Sequence, residues 1–340
     1  MKRTILYVVL AFIVAPIFVS CYQSHKKKLD LAYALVESRP DSALALMKHI
    51  DQEGLSKEEM AKYALTYYIA QDKSGLDLDN DSLIRIAYDW YEGHQEDSLY
   101  VLCLNYMGKF YLLVDSMEQA KSCLEKAYFI SDSLHKMNVK RLVLDKLIEV
   151  EEQLEPYKAL RYAKDMLKMY DSMANVTIYN KVAARLRLGE NFFYVGSLQH
   201  ALEEERKAYR MAMKAGDSNL LSYVRQNLAR TFEEMGEKDS CLYYARLAYD
   251  LNAANRFSCL LTFASAYISV DSLNQAFSLL NQALPKTAED RYSVFYFQSQ
   301  AAMKAQDFKS AKSFSDSAYH YLEDMYRTAL QGKAAYYTSF

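Results

Sequence analysis

The sequence predicts an all-α protein built as a repeat solenoid, a stack of antiparallel helix pairs. Three observations carry that expectation. Gly (9) and Pro (4) together make up 13 of 340 residues, about 4% against the ~12% of ordinary chains. A sandwich or barrel needs a turn residue every few positions, and this chain cannot supply them. Small residues recur on one register along the chain. Polar helix-start signals recur in phase with them. Tyr is the compositional outlier at 30 residues. It suits wide gaps between helix pairs, with an aromatic ligand surface as the alternative. A net charge of -2, from 41 basic and 43 acidic residues, gives no electrostatic case for nucleic acid.

The N-terminus differs from the rest. Lys2 and Arg3 precede an apolar run from Ile5 to Val19, and Ser20 precedes Cys21. Fifteen apolar residues are short for a span, which needs about 20, and the layout is that of a secretory signal. Phe18-Val19-Ser20-Cys21 resembles a bacterial lipobox, although Leu is commoner than Phe at its first position. The resemblance implies cleavage after residue 20 and acylation of Cys21. Residues 21–28, with Lys26, Lys27 and Lys28, then form a polar tether. The expected address is the cell envelope, membrane-anchored by lipid on an undetermined face. An uncleaved signal anchor and plain secretion are the alternatives. Cys103, Cys123, Cys241 and Cys259 show no metal-type spacing. They read as small core thiols, or as one Cys103–Cys123 disulfide with two thiols left over.

The clearest repeat contains Gly108, Tyr111, Ala120, Leu124 and Ala127. Gly108 and Ala120 mark where two antiparallel helices approach closely, Tyr111 fills the hole between units, and Ala127 lets the second helix touch the next repeat. The register returns as Gly189, Phe192, Ala201 and Ala208, then as Ala229, Phe232, Cys241 and Ala248. It returns again as Ala264, Tyr267, Ala276 and Ala283, and more weakly as Ser299, Ala302, Ala311 and Ala318. Leu147, Val150, Ala159 and Met166 are its most decayed form, and irregularity is expected near Pro156. The small slots from Ala120 to Ala311 step by 39, 42, 40, 35 and 35 residues, close to the ~34 of a tetratricopeptide unit. The expected pairs cover 28–52, 56–93, 96–131, 138–173, 177–214, 217–252, 255–285 and 289–325. They form one solenoid over 29–325, with a right-handed superhelix and a helical tail over 326–340. Ser116 with Gln119 and Ser272 with Gln275 read as capping boxes, and the other Asp-Ser pairs as helix starts.

With these residues in place the chain resembles Bacteroidales-type tetratricopeptide-repeat (TPR) lipoproteins and the sensory repeat region of membrane-bound TPR regulators. Arg39-Pro40-Asp41-Ser42-Ala43-Leu44, Gln71-Asp72-Lys73 and Asp81-Ser82-Leu83-Ile84 carry the likeness at the start of the repeats. In some relatives a transmembrane helix, a coiled coil and a helix-turn-helix module follow. Here the residues after Ala318 show no apolar span and no basic recognition helix.

No catalytic chemistry is expected. The six histidines are scattered, so no metal site is expected, and Gly is too sparse for a phosphate loop or a nucleophile elbow. No cofactor is expected. Glu151-Glu152 and Glu203-Glu204-Glu205 read as solvated faces. The expected function is therefore a lipid-anchored interaction scaffold holding a protein or peptide in the concave groove. The alternative is a sensory or companion component of a membrane regulatory system that lacks its own output domain. The resemblance implies that the first helix of each pair lines that groove. In the best units its inward positions are Asn105, Lys109, Leu112 and Leu113, then Leu186, Glu190, Phe193 and Tyr194, then Tyr223, Gln226, Arg230 and Glu233. Later units add Leu261, Ser265, Ile268, Tyr296 and Gln300. The Lys/Asn/Arg set that clamps a terminal carboxylate in chaperone-binding relatives is absent, so no such clamp is expected.

Overall fold

The computed structural model describes residues 26–338 except 77, 79–80, 96–97, 134–136 and 252, and leaves aside the side chains of 137–138 and 329–338. The expected signal segment, Cys21 and the first part of the expected tether therefore lie outside the described residues. All regular structure within them is helical, with no strand. The helices are α1 (26–35), α2 (Pro40–Met47), α3 (Lys57–Lys73), α4 (Ser82–Tyr91), α5 (Ser98–Leu113), α6 (Met117–Ser133), α7 (Met137–Leu154) and α8 (Pro156–Ser172). They continue as α9 (Ile178–Tyr194), α10 (Leu198–Ala215), α11 (Ser218–Glu234), α12 (Lys238–Tyr249), α13 (Arg256–Ser269), α14 (Leu273–Leu280), α15 (Ala288–Lys304) and α16 (Phe308–Thr338). Lys26, Lys27 and Lys28 sit in α1 and not in a tether, because Leu29 and Ala32 of the same helix are buried and anchor it. Pro156 opens α8 at its first turn, where its missing N–H costs nothing, so it does not interrupt the helix. None of these helices is long and apolar enough to cross a membrane.

The described residues form two compact units, those up to Lys146 and those from Leu147 on, and the division falls within α7 at the most decayed signature. In the first unit α3 packs on α2 and α4, and α5 on α3, α4 and α6. Tyr68, Tyr91, Tyr100 and Phe110 are fully buried there, and Tyr68 meets Tyr106 edge-on at 6.1 Å. Packing of helix pairs is thus one use of the abundant tyrosine. In the second unit each helix from α8 to α16 packs on its sequence neighbour. The first helices also pack on one another, α9 on α11, α11 on α13 and α13 on α15. That alternation is what a TPR-like helical repeat requires.

The small slots are where the helices touch. Ala120, Ala127, Ala159, Ala201, Ala208, Cys241, Ala248 and Ala276 are fully buried, and Ala311 and Ala318 nearly so. A Cβ on Gly108 would lie 2.6 Å from Leu124 Cγ. Ala283 departs from expectation. Helix α14 ends at Leu280, three residues short of it, and Ala283 is only half-buried. The four cysteines beyond residue 25 are free thiols, so Cys103 and Cys123 do not pair, and burial pushes the Cys241 thiol up to about 12.

The turns within pairs are built differently from the expected capping boxes. Asp115 (φ 53°) and Asp271 (φ 62°) adopt the left-handed conformation, as Gly196 (74°) and Gly236 (75°) do at the equivalent places. Each ends the first helix. The next N–H then reaches back to the signature aromatic's carbonyl: Ser116 to Tyr111 (2.8 Å), Ser197 to Phe192 (2.8 Å), Glu237 to Phe232 (2.9 Å) and Ser272 to Tyr267 (2.9 Å). This is the Schellman arrangement, and Asp tolerates the left-handed region better than most residues with a Cβ. Ser272 consequently makes no capping bond, and the Ser116 hydroxyl turns to the Val114 carbonyl. True capping boxes occur at Ser56–Glu59 and Thr287–Asp290.

Candidate groove on the first helices of the second unit

Four first helices of the second unit line one open cavity of about 410 Å³. Glu190 comes from α9 and Phe297 from α15. Helix α11 supplies Tyr223, Gln226, Asn227, Arg230 and Glu233, and α13 supplies Ser258, Leu261, Thr262 and Ser265. Counted from the small slot of each helix, the lining residues fall six, three and two before it, and one and four after it. That is one face of an α-helix.

Seven of the sequence-expected groove residues meet here: Glu190, Tyr223, Gln226, Arg230, Glu233, Leu261 and Ser265. Phe193 and Tyr194 stand beside them, with the Arg230 guanidinium 4.6 Å and 5.8 Å from their ring centroids. Tyr296 and Gln300 are exposed but do not line the cavity, nor does half-buried Ile268. Two expectations fail. Leu186 is buried in the apolar cluster with Val182, Leu202 and Leu221, and Asn105 is buried in α5, whose residues from Tyr100 to Gly108 are all buried. Lys109 is half-buried and ion-paired with Asp72; Leu112 is half-buried and Leu113 exposed. Asn227, Thr262 and Phe297 were missed because all three stand two before the slot, a position that none of the expected groove residues occupies. Ser258 occupies the place of Tyr223, six before the slot, so the periodicity already contained it.

Most polar groups of the groove are already engaged. Gln226 donates to Ser258 Oγ (2.7 Å) and Thr262 Oγ1 (3.2 Å) and accepts from Asn255 Nδ2. Asn227 donates to the Tyr223 carbonyl (3.2 Å) and accepts from Arg230 Nη2 (3.2 Å). Ser265 donates to Glu233 Oε1 (2.8 Å), which only partly offsets the burial that pushes the Glu233 carboxyl up. Glu190 lies 3.7 Å from Arg187.

Behind the groove three of the five carboxylates expected on solvated faces are internal. Glu205 on α10 is fully buried, and Glu204 and Glu151 are buried as well; only Glu203 of its run is exposed. Helix α10 turns residues 201, 204, 205 and 208 toward its neighbours, so a run of three glutamates must send two inward. Thr231 Oγ1 donates to Glu205 Oε1 at 2.8 Å, and Gly189 leaves the room, since a Cβ there would sit 3.2 Å from Glu205 Cγ. Burial pushes the Glu205 carboxyl up to about 7, against the pull of Thr231 and Arg230. Glu151 is held by Lys158 at 3.0 Å. A second recess of about 560 Å³, lined by Arg185, Lys207, Arg210 and Lys214 with Tyr209, Met211 and Met213, is less suited to a ligand. Arg185 is already paired with Glu204 at 2.8 Å, and Lys207 with Glu203 and Glu204, both at 2.7 Å.

The fold is that of known TPR-like proteins. The apo form of RapI is similar at a TM-score of 0.66 and 14% identity, over 88% of this chain and 86% of that one. A Rap protein complexed with Competence and Sporulation Factor is similar at 0.62 and 15%, over 92% and 94%. Aspartyl phosphate phosphatase F from Bacillus subtilis is similar at 0.58 and 15%, over 93% and 92%. No family model and no curated protein sequence matches the chain. At these identities the likeness establishes the helical-repeat fold.

Proposed function

We propose that this chain is a binding module for a protein or an extended peptide, held in the groove of α9, α11, α13 and α15, and that it catalyses no reaction of its own. One observation carries the reading. The same helix face of successive repeats contributes amide, hydroxyl, aromatic and charged side chains to a single open cavity. Such a mixture suits an extended chain, with aromatic and charged groups of the groove for its side chains. The likeness to a Rap protein complexed with a factor is in keeping with it. The test is capture of native partners by wild type and by a Tyr194→Ala/Arg230→Ala double variant. The expected result is at least a tenfold loss of a partner with thermal stability retained. Unchanged capture would move the interface to another face.

The proposed address is the bacterial cell envelope, through a lipid on Cys21. The Phe18-Val19-Ser20-Cys21 sequence supports it, and two or three acyl chains would anchor stably where one would not. Cys21→Ser should abolish incorporation of labelled palmitate and release the protein from the membrane fraction. A Ser variant that stays membrane-bound at its uncleaved mass would establish a signal anchor instead.

A further inference from the structure

The donors and acceptors of the groove are unequally used, and the inequality points to one ligand group. This step rests on the peptide-binding reading of the same site. Gln226 has both ends of its amide engaged, as has Asn227, and the Ser265 hydroxyl is committed to Glu233. Arg230 is the exception. A guanidinium carries five N–H donors. Among the described residues Arg230 makes one hydrogen bond, to Asn227 Oδ1, and no ion pair, and its buried Nε has no acceptor. Its position is nonetheless fixed, because Phe193 and Tyr194 hold the guanidinium against their rings. A fixed guanidinium with unused donors at the wall of a cavity fits a planar acceptor that can take two parallel bonds.

We propose that the groove selects its peptide by an acidic side chain, an aspartate or glutamate carboxylate seated on the Arg230 guanidinium. The other charges of the cavity narrow the class. Glu190 and Glu233 line the same space, so a phosphate, with about twice the charge of a carboxylate at neutral pH, meets more repulsion there. Arg230 stands on α11, between the contributions of α9 and α13. A chain crossing these helices continues on both sides of it, which favours a side-chain carboxylate over a free C-terminus.

The test uses the full chain in detergent micelles on an array of nine-residue peptides, acetylated and amidated at their ends and randomised except at the centre. The central residue is Asp, Glu, Asn, phosphoserine or Lys, and the proteins are wild type, Arg230→Gln, Arg230→Lys and Tyr223→Ala. Wild type should retain the Asp and Glu sets at least tenfold better than the Asn set, and better than phosphoserine. Arg230→Gln should erase that ratio, and Arg230→Lys should restore part of it by returning the charge without the fork. Equal retention of acid and amide, preference for Lys or phosphoserine, or a ratio indifferent to Arg230→Gln would overturn the proposal. If Tyr223→Ala lowers retention of all sets alike in those cases, the peptide groove stands and only its acid selectivity falls. Wild type retaining no set, or retention untouched by Tyr223→Ala, removes the groove itself and the proposal with it.

Discussion

Gly108→Val is expected to destabilise the first unit by about 2–3 kcal/mol, the upper range of overpacking in a filled core. Gly108 lies on α5 with Leu124 of α6 directly against it. The missing Cβ would be 2.6 Å from Leu124 Cγ and 2.8 Å from Cδ2. Leu124 is fully buried beside Ala120 and Ala127, so its branch point cannot swing into solvent. Valine adds two further methyl groups at this point, and the helices must part to take them. Gly108→Ala should cost less, because the gain of about 1 kcal/mol in helix propensity offsets part of the clash. Gly189→Ala should be milder still, its Cβ meeting Glu205 Cγ at 3.2 Å. At Gly54 a Cβ meets nothing within 4 Å, so Gly54→Ala is the control and should lie within about 0.5 kcal/mol of wild type. Urea unfolding followed by circular dichroism gives the ranking. Valine at 108 indistinguishable from the Gly54 control would show that α5 and α6 do not meet there.

The architecture could be read from the sequence because its determinants are local and periodic. A scarcity of Gly and Pro leaves only helices, and the slots at Gly108, Gly189, Ala229 and Ala264 fix which faces pack. What stayed hidden depended on backbone conformation or on a single residue's rotation about its helix. Asp115 and Asp271 look like the beginning of a helix-start signal, yet they close the previous helix, because a left-handed φ is invisible in a residue's name. Asn105 and Leu186 stand in groove register but are covered by what packs on them. Adjacent glutamates resemble a solvated face, and nothing in Glu203-Glu204-Glu205 announces that Gly189, sixteen residues earlier than Glu205, leaves a space for one of them. The groove was legible in part: one after the slot Glu190, Arg230 and Ser265 all line it, whereas three before the slot Gln226 and Leu261 do and Asn105 and Leu186 do not. The residues two before it lie on the edge of that face, where periodicity gives no decision.

Glu205→Gln should remove a pH dependence of stability that the buried carboxyl imposes. The Glu205 carboxyl is fully enclosed between α9, α10 and α11, and burial raises it from an ordinary 4.5 to about 7. Thr231 Oγ1 and the Arg230 guanidinium favour the charged form, whereas Glu190 opposes it. The sign follows from proton counting. Between pH 4.5 and 7 the folded chain holds a proton at this site that the unfolded chain has released, so stability falls as pH rises. The contribution is fully present below 4.5 and lost once pH passes 7. A difference of about 2.5 units at ~1.36 kcal/mol each gives an effect of the order of 3 kcal/mol. Gln keeps an oxygen for the Thr231 hydroxyl and cannot ionise. Relative to wild type, Glu205→Gln should therefore be level near pH 4 and more stable by about 2–3 kcal/mol at pH 8. Subtracting the two proteins at each pH cancels the other shifted carboxyls, Glu152 and Glu233 among them. Thr231→Val withdraws the one hydrogen bond that the Glu205 carboxyl accepts among the described residues, so it should move the wild-type transition to higher pH. Chemical denaturation at half-unit steps from pH 4 to 8 makes the measurement. Parallel curves for wild type and Glu205→Gln would mean that the carboxyl is hydrated and ionised in the folded chain, and that burial does not govern it.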